Sequence, residues 1–236
     1  MRKLTLAMTG LVSTVLLSGQ AFANEQAGGN GLAVPNQSWE HLWHEVIVDI
    51  TVIGIIMAVL AVVMLVKYKA TSPDQVGTAK ELSSVQSIAY ALIPAAIFMA
   101  DDFYLAANGW TVWNEYRRVP ENAMEIKVTA FQWYFEFEYP DGTVTDKLVI
   151  PHNQPVVFRM TSEDVIHDFG LPGFRVKEDV MPGRITYIWI NPVEIRETFV
   201  QCAEFCGQDH AQMSTSISVV PQAQFDIWLA KMAAEG

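Results

Sequence analysis

The chain has 236 residues, two cysteines and a formal net charge of −11, with 51% hydrophobic and 17% charged residues. A soluble domain carries about a quarter charged residues, so this chain is under-charged, and it is far too apolar to be disordered. Its 26 acids against 15 bases exclude a basic nucleic-acid-binding face, and two cysteines cannot staple a small disulfide scaffold.

Residues 1–23 read as a cleaved signal peptide. Arg2 and Lys3 open it, an apolar stretch covers 4–17, and Ala21-Phe22-Ala23 is a small-residue cleavage site before Asn24. Residues 24–45 are expected as a flexible periplasmic N-terminus. Segment 46–66 is 21 residues long with one charge, Asp49, enough to cross a bilayer. Trp39 and Trp43 before it and Tyr68 after it stand where interfacial aromatics belong. The loop 67–84 carries Lys67, Lys69 and Lys80, and Lys-rich short loops stay in the cytoplasm. A second span with an interfacial extension covers 85–113. It contains Pro94, which a membrane helix tolerates where neighbours satisfy the freed carbonyl. It also contains Asp101 and Asp102, and carboxylates are costly in lipid. They either lie near the outer interface beside Trp110 and Trp113 or face a partner subunit.

Residues 120–236 then return to the outside as a domain of 117 residues with 17 acids and 8 bases. Short β-branched and aromatic runs at 125–129, 147–150, 155–161, 184–190, 198–201 and 214–220 alternate with Pro, Gly and Asn turn signals. They predict an all-β sandwich or barrel behind a two-helix transmembrane hairpin. Residues 222–235 place Phe225, Trp228, Leu229 and Met232 at helical spacing, a closing amphipathic helix whose apolar residues core packing explains.

The chemistry concentrates between Cys202 and Met213. Cys206, His210 and Met213 form C-x3-H-x2-M, and thiolate, imidazole and thioether together suit copper. A blue copper site needs one more histidine, which His167 can supply. His41 and His44 sit at the membrane face and His152 in a Pro-His-Asn turn. Cys202 is then surplus to a single-copper site. Two thiolates on one loop can bridge two metals, with Met213 as the weak ligand of one and the Glu204 carbonyl as that of the other. An electron shared between two similar coppers changes each bond little, which suits electron transfer. With every ligand position filled by protein, none is open for substrate. A disulfide is the alternative for the cysteines in an oxidising compartment. Zinc is the alternative metal, although it has no use for the methionine.

These residues resemble subunit II of the cytochrome c oxidases, the haem–copper terminal oxidases. Val165-Ile166-His167-Asp168-Phe169, Phe174-Arg175-Val176-Lys177-Glu178-Asp179 and Pro182-Gly183-Arg184 are similar to the family's first ligand segment, and 202–213 to its second. The resemblance implies a cupredoxin domain carrying a binuclear CuA centre on His167, Cys202, Glu204, Cys206, His210 and Met213. It implies a magnesium or manganese ion on the Glu204 side chain at the boundary with subunit I. In Gln132-Trp133-Tyr134-Phe135-Glu136-Phe137-Glu138-Tyr139 it implies Trp133 as the point where electrons arrive from cytochrome c or a small copper protein. A core strand explains the same aromatic run. Glu136, Glu138, Asp141 and Asp179 would form an acidic docking patch, although a solvated acidic face explains those charges too. The implied partners are subunit I, other oxidase subunits, the electron donor and membrane lipid. The implied location is a bacterial-type inner membrane, with two passes and a periplasmic C-terminal domain.

Three positions depart from the family. Phe135 stands where tryptophan is usual, Gln86 stands where a glutamate opens a proton pathway, and Asp101 and Asp102 are unexpected in the second span. A haem–copper nitric oxide reductase in the same electron-uptake role and a membrane-anchored copper-delivery protein are the competing functions. Quinol oxidases share the fold but lack the copper ligands, all of which are present here.

Overall fold

The computed structural model describes residues 34–77 and 80–235. The expected signal peptide and residues 24–33 lie outside the described residues. The described residues divide into one compact unit within 40–111 and another that combines 34–39 with 112–235.

The first helix, α1, spans Pro35–Lys67, and α2 spans Ser84–Arg117. Both are long and apolar enough to cross a membrane. Residues 35–45, expected to be flexible, are helical and correct that boundary. Pro35 supplies the fixed φ favoured in a helix's first turn, and Val34, Ser38 and Leu42 are buried. Helix α2 opens with a reciprocal cap. Gln86 N–H donates to Ser83 Oγ at 3.3 Å, and Ser83 N–H donates to Gln86 Oε1 at 3.1 Å, which satisfies two otherwise orphaned donors. Within the 40–111 unit, Tyr104 Oη donates to Glu45 Oε1 at 3.1 Å, and His41 Nε2 lies 3.3 Å from the same oxygen. Asp101 is half-buried on the stripe that carries Tyr104 and Asn108, whereas Asp102 is exposed.

Among the described residues the second unit holds ten strands in two five-stranded sheets. One sheet is ordered β3 (Val144–Thr145), β2 (Tyr134–Glu138), β1 (Met124–Phe131), β5 (Val156–Ser162) and β8 (Thr186–Ile190). The other runs β4 (Leu148–Pro151), β10 (Ser214–Val220), β9 (Arg196–Cys202), β6 (His167–Leu171) and β7 (Val176–Val180). This is the expected cupredoxin-like sandwich. Its β1–β5 and β4–β10 pairs are parallel, and the remaining pairs are antiparallel.

Period-two patterning sets which residues face inward. Ile126, Val128 and Ala130 of β1 are buried, as are Phe135 and Phe137 of β2 and Ile217 and Val219 of β10. Phe169 lies edge-on to Phe135, 5.5 Å between centroids, and packs 5.2 Å from Phe158. This aromatic cluster forms the floor beneath the start of β6. Tyr139 is buried beside it. Its hydroxyl accepts from Val149 N–H and donates to Val149 O, at 2.9 and 2.8 Å, tying the end of β2 to β4. The closing helix α3 (Gln222–Glu235) covers this end, with Trp228 edge-on to Tyr139 at 5.3 Å.

Candidate metal centre

Two backbone pairings assemble the site. Strands β9 and β10 are antiparallel neighbours, and Cys202 N–H donates to Met213 O at 3.0 Å. The segment between them is therefore a loop clamped at its base, tightened by a short 3-10 turn at His210–Gln212. Strand β6 pairs with β9 in the register Phe169–Cys202, and Ala203 N–H donates to Asp168 O at 3.3 Å. That register carries His167 to the base of the same loop.

The donor atoms converge. Cys202 Sγ lies 3.7 Å from Cys206 Sγ, 3.8 Å from His167 Nδ1 and 3.1 Å from the Glu204 carbonyl oxygen. Cys206 Sγ lies 3.6 Å from His210 Nδ1 and 3.7 Å from Met213 Sδ. All six sequence-predicted residues thus come together: the two cysteines form a sulfur pair, and the other four surround it, each sulfur facing one histidine and one weak donor. His167, Cys202, Cys206 and Met213 are buried, His210 is half-buried, and the Glu204 side chain is exposed.

The cysteines are free. A separation of 3.7 Å is far beyond the roughly 2.05 Å of a disulfide. It is a span that two bent metal–thiolate bonds of about 2.3 Å bridge. Two thiols, two imidazole nitrogens, a thioether and a carbonyl form a soft to borderline set that fits copper. Burial, with the hydrogen bond and charge of Cys202 adding to it, pushes the Cys206 thiol up to about 12. Without a metal the Cys206 thiol therefore holds its proton, which metal uptake would have to displace.

Sequence reasoning passed over Asp164, which orients the first histidine. Its Oδ1 lies 2.8 Å from His167 Nε2 and accepts from Val165 N–H at 2.6 Å, and its Oδ2 accepts from Gln132 N–H at 2.6 Å. Partial burial alone would raise this carboxyl. The hydrogen bonds from His167, Val165 and Gln132 outweigh burial and hold it below the usual carboxylate range. A carboxylate on Nε2 leaves the Nδ1 lone pair facing the sulfurs, the usual outer contact of a metal-binding histidine. An acidic residue three positions before the histidine was the available signal.

Two other histidines are engaged elsewhere. His41 pairs with Glu45, and His152 Nε2 contacts the Val193 carbonyl at 2.9 Å. Trp133 is half-buried just ahead of β2. Glu136 and Glu138 lie on the outward face of β2, with Glu138 paired to Lys127 at 2.7 Å. Asp141 is exposed and accepts from Thr143 N–H at 3.0 Å. Asp179 lies apart from these three in the other sheet, on edge strand β7 opposite Asp168. Gln86 caps α2, a role that the Ser-x-x-Gln spacing signals.

Residues 142–220 match the family described as cytochrome c oxidase subunit II, periplasmic domain. A probable cytochrome c oxidase subunit 2 of Rickettsia bellii is 30% identical, covering 96% of this chain and 94% of that protein. An alternative cytochrome c oxidase subunit 2 of Bradyrhizobium diazoefficiens is 32% identical over 53% of this chain and 57% of that protein. Among solved structures, the periplasmic domain of subunit II of a Bradyrhizobium japonicum cytochrome oxidase aligns with a TM-score of 0.47 and 33% identity. It covers 50% of this chain and 99% of that one.

Proposed function

From the premise that the chain belongs to the cytochrome c oxidase subunit II family, we propose that it takes single electrons from a periplasmic donor at a binuclear copper centre. It passes them to haem in subunit I, where oxygen is reduced to water. As subunit II of a haem–copper oxidase the chain is part of an oxidoreductase whose partner is subunit I. Its span-capable helices agree with a two-pass membrane protein whose C-terminal domain is periplasmic.

The observation that carries the proposal is the paired sulfurs 3.7 Å apart, each with its own histidine nitrogen within 3.8 Å. His167, Cys202, Cys206, His210, Met213 and the Glu204 carbonyl would hold the metals. Copper bound there supplies a carrier that gains and loses one electron with little change in its bonds. The chain's own residues provide the rest. The β9–β10 clamp fixes the loop, Asp164 fixes the His167 tautomer, and burial of Cys206, Met213 and His167 keeps water away. The exposed Glu204 carboxylate is the proposed protein ligand for a magnesium or manganese ion shared with subunit I.

Trp133 is proposed as the surface contact for electron uptake. Glu136, Glu138, Asp141 and Asp179 are the proposed docking acids for a cytochrome c or small copper protein. At Gln86 the neutral amide is proposed to take no part in proton uptake, because it cannot titrate. The signal peptide at 1–23 remains part of the proposal as the device that exports the N-terminus.

The test is copper content and the electron paramagnetic resonance spectrum of the full chain, purified in detergent after copper loading. The expected result is two coppers per chain with one unpaired electron shared equally between the nuclei. One copper carrying the whole spin, or none after thorough reduction, would overturn it.

A further inference from the structure

Trp133 has an unusual seat. Its Nε1 is shielded from solvent with no hydrogen-bond partner among the described residues. An unpaired buried N–H is unfavourable, so packing places the ring and not polar satisfaction. Beside the ring is Gly207, the residue after Cys206. Gly207 has φ of +127°, and a Cβ there would stand 3.2 Å from Trp133 Cζ2 and Nε1 and 2.9 Å from Gln132 Nε2. Only glycine gives both that backbone and that approach.

Gln132 is the second fixture. Its Nε2 donates to the Cys206 carbonyl at 2.7 Å, and its backbone N–H donates to Asp164 Oδ2 at 2.6 Å. The other oxygen of Asp164 lies 2.8 Å from His167 Nε2. Covalently joined to Trp133, Gln132 is therefore bonded to the Cys206 backbone directly and to His167 through one carboxylate.

We propose that Gln132 and Gly207 are positioning residues for electron uptake, holding the Trp133 indole on the Cys206–Gly207 backbone and joining it to both ligand segments. The inference rests on the proposed copper function, with Trp133 as the surface contact. One electron leaves the reduced haem of a donor cytochrome, which is oxidised, and arrives at the copper pair, which is reduced by one. No bond breaks and no proton moves. Electronic coupling decays faster across a gap than along bonds and hydrogen bonds. The close packing at Gly207 and the hydrogen bond from the Gln132 amide to the Cys206 carbonyl therefore set the uptake rate without changing the copper ligands.

The test uses Gln132→Met, which keeps length and loses the amide, Gly207→Ala, which pushes on the ring, and Trp133→Phe. Each is studied in the assembled oxidase with reduced cytochrome c as donor. The expected result for the first two is slower uptake at saturating donor by about tenfold. KM, the copper resonance spectrum and the reduction potential stay unchanged. In the copper-free full chain in detergent, oxidative footprinting read by mass spectrometry should show greater modification of Trp133 in Gly207→Ala than in the parent. Parental uptake rates in both variants would overturn the assignment. So would an altered copper spectrum, which would make the two residues supports of the metal site alone. Parental uptake in Trp133→Phe would instead remove Trp133 from the electron path. A parent chain without the two-copper spectrum would remove the copper function itself.

Discussion

Met213 is 1% exposed, with its thioether 3.7 Å from Cys206 Sγ. A weak donor in that position tunes a copper site more than it holds it. Met213→Leu should cost the fold less than about 1.5 kcal/mol, as a near volume-conserving change. It should raise the copper reduction potential, because the oxidised state loses an electron donor. Redox titration beside a denaturant melt checks both. The raised Cys206 thiol makes uptake sensitive to acid. Copper loading should release protons and slow as pH falls below neutrality, measured by stopped-flow absorbance with a pH indicator. Asp168 is 1% exposed, and its Oδ1 has no partner among the described residues. Burial raises its carboxyl above the usual range, against the pull of Lys177 3.6 Å away and with the push of Asp179. The folded chain therefore keeps this proton to higher pH than the unfolded chain does. Stability is lost as pH rises from the unfolded value through the folded one. Asp168→Asn should raise the melting temperature of the copper-free chain at pH 7, with the gain vanishing near pH ~4. The six residues whose donor atoms converge were legible as a group because their types and spacing suit soft-metal chemistry. Asp164 and Gln132 were not, because a carboxylate and an amide gain meaning only from what they touch.

At the scale of elements, the helices and strong strands followed from pattern, and the weak strands did not. Helix α3 spans the predicted residues, and β10 does too. Strand β7 reads Val-Lys-Glu-Asp-Val, too charged for a strand by composition. It forms because it is an edge, where charged side chains can point to solvent. His167 stands first in β6, a strand that is short, fully buried and held by its neighbours rather than by its own pattern. The pair Asp101 and Asp102 divides. Asp101 shares the half-buried stripe of Tyr104, while Asp102 faces outward, so one sequence motif serves two surfaces. Tyr104→Phe removes the donor to Glu45. It should destabilise the 40–111 hairpin by about 0.6–2 kcal/mol, the range for polar contacts between membrane helices, read as earlier thermal unfolding in detergent.

At the scale of the molecule, the outer domain holds 17 acids against 8 bases. Such a field speeds encounter with a basic donor and is screened within about 8–10 Å at ordinary salt. Electron uptake from cytochrome c should slow steeply as ionic strength rises, and Glu136→Gln should flatten that dependence. Glu138→Gln should do less, because Lys127 already offsets its charge. The register of β6 on β9, Phe169 against Cys202, has a consequence for biogenesis. The two ligand segments are far apart in the chain and share a site only once those strands are paired. Before pairing, a chain still folding would offer an incoming metal two thiols, one imidazole and a thioether, a weaker and less selective set. Metal acquisition is thereby tied to the completion of the sheet, so a loaded chain certifies its own maturation.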